Sequence, residues 1–418
     1  MAKIAKILAR EILDSRGHPT IETTIYLDTG HSGTASVPSG ASSARHEAVE
    51  SRDNDPRRFQ GLGVIKAIDL INRTLSAKLK GIDPARQTEL DQFLINEDGT
   101  ADKSNFGANT LLSISQAAVV ASAAYYQLPV YQYLRQKYYQ QVPLNRLPGP
   151  TFNIINGGAH GAGNLDFQEF HLIPSARFTY SQSLQIGETV YQSLFKTLKY
   201  RRAITSVGDE GGFAPDLFTN LDALSIILES LKQTPYQLAK DVFLGLDVAA
   251  DYFYRNGHYE IKDRAQPYSR EELIVYYREL VKEFHLFSLE DGLNQDDWTG
   301  WGQLNAALGS QCLIVGDDLL STNPDRVKQA IAKKACNAVL IKPNQIGTIT
   351  ETLKVINLCR EAGWKIIVSH RSGETNDTFI ADFAVGTLAD YTKFGAPVRG
   401  ERVVKYNRLS AIAAELKL

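Results

Sequence analysis

Five short apolar runs of β type each stop at a charged or polar residue. That recurrence limits what this chain can fold into more than any other feature. VFLGLD ends at Asp247, HLFSLE at Glu290, CLIVGD at Asp317, NAVLIK at Lys342 and KIIVSHR at Arg371. The ends lie 43, 27, 25 and 29 positions apart, about one βα unit each after a longer first connection. Segments with apolar residues at helical spacing fill the intervals. Repeated βα units of this length imply a parallel sheet, with enough units to close a barrel. The C-terminal ends of the staves are where such a barrel carries its chemistry. A single acid at a strand end is commonly a helix N-cap or a surface charge. Five consecutive ends bearing chemically useful groups are harder to assign to structure alone.

The first third of the chain has another texture. Residues 3–37 read as strands: TIETTIYL alternates, and DTGHSG supplies a turn before TASV. From about residue 63, GVIKAIDLINRTL and ARQTELDQFLI show helical spacing, and GANTLLSISQAAVVASAAYY is apolar or small nearly throughout, as a buried helix requires. Strands followed by helices suggest an α+β unit. QQVPLNRLPGP, with its three prolines, reads as a linker. The expected division is an α+β capping unit over 1–137 and a barrel over 138–418, and 418 residues suffice for both.

Charge and cysteine usage exclude several classes. A net charge of -2 with a pI near 6.5 offers no basic field for a nucleic acid. Cys312, Cys336 and Cys359 are odd in number and lack CxxC spacing, which fits a reduced interior better than disulfides or a zinc site. The start, MAKIAKILAREILDSRG, carries charge throughout, and no apolar run approaches the ~20 residues of a spanning helix. The expectation is a cytoplasmic enzyme acting on a small molecule.

Asp247, Glu290 and Asp317 come from neighbouring staves. Three carboxylates converging in a barrel mouth repel one another unless a cation sits between them. All-oxygen ligation suits Mg2+, which keeps positions open for water and substrate. The next stave delivers Lys342, whose ammonium form a bound dication would disfavour, leaving an amine able to act as a base. Taking a proton from beside a carboxylate puts a second negative charge on that group. Unit charges 4 Å apart interact by about 4 kcal/mol at an effective dielectric of 20, so a dication against a doubly charged group gains ~16 kcal/mol. Hydrogen bonds do not match that. Asp209 and Glu210 lie among glycines in VGDEGGFAP, and Gln168 and Glu169 in LDFQEF; paired acids near a metal could protonate a leaving hydroxyl. SHRSGE brings His370, Arg371 and Ser372 together, with an arginine and a hydroxyl suited to a phosphate. His160 stands on the glycine loop NGGAH.

With these motifs in view, the chain resembles enolase from end to end. The N-terminal part carries DSRG.PT.E, PSGAS, HEA.E.RD and DGT.DKS.FGAN; the remainder carries NGG.H, QEF, SVGDEGGFAP, LDVAA, SLEDGL..DDW, VGDDL..TNP, IKPNQIGT, SHRSGET.DTFIAD and GAP.R.ER..KYN, in the family's order. The EDGL form is similar to bacterial members. The resemblance implies an α/β barrel with an irregular β2α2(βα)6 start, capped by the N-terminal α+β unit. It also implies reversible Mg2+-dependent dehydration of 2-phosphoglycerate to phosphoenolpyruvate, as in glycolysis and gluconeogenesis. Asp247, Glu290 and Asp317 would hold one Mg2+, and Ser42 on the PSGAS loop would help hold a second. Lys342 would take the carbon-2 proton, and Glu210, assisted by Glu169, would protonate the departing hydroxyl. Lys393 would contact the substrate carboxylate, Arg371 and Ser372 the phosphate, and His160, Gln168 and His370 would line the pocket. A homodimer or octamer is implied, with Glu22 and Arg402 matching family dimer contacts.

The chain departs from the family pattern at several places. The lid reads Ser42-Ser43-Ala44 where Ser-Thr-Gly is usual, so a left-handed glycine there would become a strained alanine. His18, Asp251, Tyr252, Ala162, Phe394, Val398 and Gly400 also differ. These changes mark a divergent member and bear on rate and loop closure more than on reaction type. A catalytically silent enolase-fold protein that binds a partner is the alternative, supported mainly by the altered lid. Against it, every charged residue that would be costly to bury unpaired is retained. An acid-sugar dehydratase is disfavoured by GDEGG, SHRSGE and the lid.

Overall fold

The computed structural model describes residues 1–40, 44–161 and 165–418. Strands β1 (Ile4–Leu13), β2 (Pro19–Leu27) and β3 (Ser32–Ser36) form an antiparallel meander. On β2 the alternation seen in the sequence is physical: Ile21, Thr23, Ile25 and Leu27 point inward and Tyr26 outward. Their buried face packs on the helix Ala108–Tyr125, in which fifteen of eighteen residues are buried. Gly33 permits the approach, because any Cβ there would collide with the backbone of Ala121. The same helix turns Leu112, Val119 and Ala123 into the core of the second unit. It is therefore apolar on both sides, as its sequence requires.

The remaining strands are β4 (Gly149–Asn156), β5 (Glu169–Pro174), β6 (Val242–Asp247), the hairpin β7 (Tyr254–Arg255) and β8 (His258–Tyr259), β9 (Leu286–Glu290), β10 (Leu313–Gly316), β11 (Ala338–Ile341), β12 (Lys365–Ser369) and β13 (Tyr391–Lys393). Apart from the hairpin they close a barrel in the order β4-β5-β6-β9-β10-β11-β12-β13. All neighbours are parallel except β5, which runs antiparallel to both β4 and β6. Two helices, Tyr180–Tyr200 and Asn220–Leu231, follow β5. From β6 onward one helix follows each stave, so the barrel begins irregularly, as expected. Thr179, Thr219 and Ser269 start their helices with capping boxes.

This topology brings the run ends to one rim. Asp247 and Glu290 are the last residues of β6 and β9 and are register partners. Asp317 and Lys342 directly follow β10 and β11, and Arg371 lies two residues past β12. Because β5 is reversed, its first residue, Glu169, reaches the same rim and pairs with Asn156 and Asp247. No helix among the described residues is long and apolar enough to cross a membrane. All three cysteines are buried and free.

Candidate active site

A pocket with about 480 Å3 of empty space opens at this rim, lined by Glu169, Glu210, Asp247, Lys342, Arg371 and Lys393 among others. A larger hollow at the barrel floor, between Arg146 and Arg177, contains none of the sequence-predicted groups.

One arc of the mouth is acidic. The Lys393 ammonium donates to Asp247 Oδ2 (2.9 Å) and to both oxygens of Glu290 (2.9 and 3.0 Å), and it lies 3.3 Å from Glu169 Oε2. Lys342 Nζ donates to Asp317 Oδ2 at 2.5 Å, and Gln345 Nε2 to Asp317 Oδ1 at 2.9 Å. The Asp291 carboxylate accepts the backbone N–H groups of Asp317 and Asp318 at 3.1 and 2.8 Å. Asp291, Asp317 and Asp318 each present an oxygen within 4.8 Å of the other two. Burial together with Asp247 pushes the Glu290 carboxyl well above its ordinary range, and burial with Asp318 does the same to Asp291. The Asp318 carboxyl rises for the same reasons, burial and the charge of Asp317. The donor set is hard oxygen, and its carboxylates outnumber the two lysines against them, which fits Mg2+. The expected trio is thus arranged unevenly. Asp247 and Glu290 meet around Lys393, while Asp317 stands with Lys342 and the two further aspartates.

The opposite arc carries imidazoles. Glu169 has His171 Nε2 at 2.9 Å and His160 Nδ1 at 3.3 Å. Glu210 accepts from Ser372 Oγ (3.0 Å) and Asn153 Nδ2 (3.1 Å), with His370 Nε2 at 3.2 Å and His160 Nδ1 at 3.6 Å. Burial works to raise both carboxyls, yet both fall below their ordinary range. Lys393 and the histidines outweigh burial at Glu169, and His370, His160 and Arg402 outweigh it at Glu210. The imidazole of His160 is itself raised, since Glu210 and Glu169 overcome its burial. Gly395, at φ +84°, lets the FGAP turn lie against this acid; a Cβ there would come 2.6 Å from the Glu210 carbonyl oxygen.

The lysines sit where burial alone would neutralise them. Burial disfavours the Lys342 ammonium, but Asp317 more than compensates, so its pKa lies above the ordinary lysine value. The backbone N–H of Lys342 is held by Thr322 Oγ1 at 3.0 Å. Thr322 itself takes the left-handed φ of +48°, rare for a β-branched residue.

Several expectations need correction or addition. Arg402, matched to a dimer contact, is wholly buried inside this chain: it donates to His370 Nδ1 (2.8 Å) and to the carbonyls of Arg371, Ser372 and Asp209. Glu22, the other residue matched to a dimer contact, pairs within the chain with Arg10 at 2.6 Å, on a different strand of the meander. Ala44 donates its backbone N–H to Glu47 Oε1 at 3.2 Å. Ser42, with Ser43 and Ala162, lies outside the described residues. Gln168 reaches Asp247 Oδ2 at 3.3 Å. Asp209 contributes its carbonyl to Arg402. Sequence reasoning assigned no role to Asn153, His171, Asp291 or Asp318. The lone polar residues inside TFNIIN and EFHLIP are the signals that could have found the first two.

Comparison with family models matches residues 4–134 to "Enolase, N-terminal domain" and residues 145–417 to "Enolase, C-terminal TIM barrel domain". The chain belongs to the enolase family. Both enolase domains are present in order, and the eight-stave barrel with its meander-and-helix partner is the fold they describe. Family membership supports enolase-type chemistry at a rim able to hold a metal ion. Among the described residues, the departures leave the charged groups of that rim in place. Phe394 is buried against Tyr406, and Asp251 accepts from the backbone and side chain of Gln295.

Proposed function

We propose that the protein is a working enolase, interconverting 2-phosphoglycerate and phosphoenolpyruvate with Mg2+ in glycolysis and gluconeogenesis. The observation that carries this reading is the placement of base and acid. Lys342 follows β11, and β5, which bears Glu169, is four places away in a closed ring of eight, directly opposite. Glu210 joins the Glu169 side through His160. A substrate between them has one face toward an amine and the other toward carboxyls, as removal of a proton and a hydroxyl from adjacent carbons demands.

Lys342 takes the carbon-2 proton. Glu210, with Glu169 beside it, gives a proton to the carbon-3 hydroxyl as it leaves as water. Glu210 rests as a carboxylate, and His160, whose imidazole is raised by Glu210 and Glu169 and lies 3.6 Å away, is the source of that proton. Arg371 and Ser372 take the phosphate, Lys393 the substrate carboxylate, and His370 and Gln168 complete the wall. Asp247, Glu290 and Asp317 are the residues that would hold Mg2+, with Ser42 at a second position. Bound there, Mg2+ supplies charge that stabilises the doubly negative carboxylate and competes with the lysines for the acids. We place the unit boundary near residue 140 and the enzyme in the cytoplasm as a homodimer or octamer.

The test is purified protein with 2-phosphoglycerate and Mg2+, followed by phosphoenolpyruvate absorbance. Absence of product from protein shown to be folded by circular dichroism would sink the reading.

A further inference from the structure

Among the charged groups at the mouth, Glu47 has no part in the chemistry above. It comes from the N-terminal unit, in the segment HEAVE, and its side chain is only 8% exposed. Its two oxygens grip the fork of Arg371: Oε2 accepts from Nη1 at 3.0 Å and Oε1 from Nη2 at 3.1 Å. Asn344 Oδ1 accepts from Nη1 as well, at 3.1 Å. Glu47 Oε1 also accepts from Gln345 Nε2 (3.3 Å) and from the Ala44 N–H (3.2 Å). Gln345 in turn donates to Asp317 and accepts from Thr322 Oγ1, the atom that holds the Lys342 N–H. One carboxylate of the capping unit is therefore tied both to the arginine and to the base.

A bidentate grip fixes a guanidinium in plane and direction. It also sets a full negative charge about 3 Å from the cation, inside a pocket where charges are poorly screened. A phosphate arriving at Arg371 meets an aimed but partly compensated charge. We propose that Glu47 is a positioning residue of the phosphate subsite: it aims Arg371 and, as its counter-charge, limits how tightly the phosphate is held, so that product can leave. This rests on the reading that Arg371 takes the substrate phosphate.

The test is calorimetric titration of inorganic phosphate into wild type, Glu47→Gln and Glu47→Asp, with 2-phosphoglycerate kinetics alongside. Glu47→Gln keeps the shape and removes the charge, so phosphate binds about tenfold more tightly. KM and kcat for 2-phosphoglycerate fall together. Glu47→Asp draws the charge back and tightens phosphate by about threefold. A plain strut between the units would lower the melting temperature without tightening phosphate. Unchanged or weaker phosphate binding in folded Glu47→Gln overturns the proposal; should that variant not fold, the same result in Glu47→Asp does so. The ordered affinities without turnover would keep this inference and sink the enolase reading. Turnover with unchanged affinities would do the reverse.

Discussion

The two arcs of the barrel mouth are equally buried and both rich in carboxylates, yet their acids behave in opposite ways. Along β9 and the turn after β10, burial and neighbouring aspartates push up Glu290 (Asp247), Asp291 (Asp318) and Asp318 (Asp317), while Asp317 itself is pulled down by Lys342. Across the barrel, Glu169 and Glu210 are pulled down despite the same burial, because imidazoles, Lys393 and Arg402 surround them. The difference is local counter-charge. An arc that brings its own cations can keep acids ionised and pass protons among them. An arc whose five carboxylates outnumber the two lysines against them, Lys342 and Lys393, has room for a further cation. On the proposed reading, metal binding and proton donation are separated across a single pocket, with Lys342 beside the first and Glu210 in the second.

The largest expected effect comes from removing the base. Lys342→Ala should lower kcat by about 10^4-fold while Mg2+ binding survives. Near-normal turnover in that variant would remove Lys342 from the mechanism. Next, Lys393→Ala takes away the ammonium that the two arcs share. Leaving Asp247, Glu290 and Glu169 without it costs about 3–5 kcal/mol of folding stability, and saturating Mg2+ should recover much of the loss. Urea unfolding with and without Mg2+ measures both quantities, and equal stability in the two conditions would mean that the acidic arc does not attract the ion.

A smaller effect concerns pH. His160 is raised, so the His160–Glu210 pair keeps its proton to a pH above the ordinary imidazole value of 6.5 and loses it as pH climbs further. In the dehydration direction kcat should therefore fall on the alkaline side, and His160→Gln should move that fall to lower pH. An unmoved alkaline limb would take His160 out of proton donation. The smallest effect is at the lid. Ala44→Gly, which restores the family's glycine beside Ser43, should raise kcat by about twofold at most, and unchanged kinetics would mean that the glycine is not needed here.

The acidic arc was the more legible of the two in the sequence. Asp247, Glu290, Asp317 and Lys342 end parallel staves, where an apolar run followed by a charge is visible without structure. Glu169 escaped that rule because β5 is reversed and offers its first residue to the rim, not its last. Lys393 ends a genuine stave, but one of three residues, YTK, too short for any periodicity to register. Glu169 was found instead from the acid-bearing segment LDFQEF, and Lys393 only through resemblance. Asp291 and Asp318 lie one residue past the recognised ends, and which of two adjacent acids faces the pocket depends on turn geometry such as the positive φ of Asp291. Arg402 was matched to a dimer contact by resemblance alone, and only packing shows that it holds the SHRSGE turn through the carbonyls of Arg371 and Ser372.

The division of labour between the arcs is tested most directly by magnesium titration calorimetry on wild type, Asp247→Asn and Glu210→Gln, with turnover measured on each. The account predicts that Asp247→Asn loses most of its Mg2+ affinity, whereas Glu210→Gln binds Mg2+ as wild type does and still fails to turn over. Equal loss of Mg2+ affinity in both variants, or in neither, would contradict it.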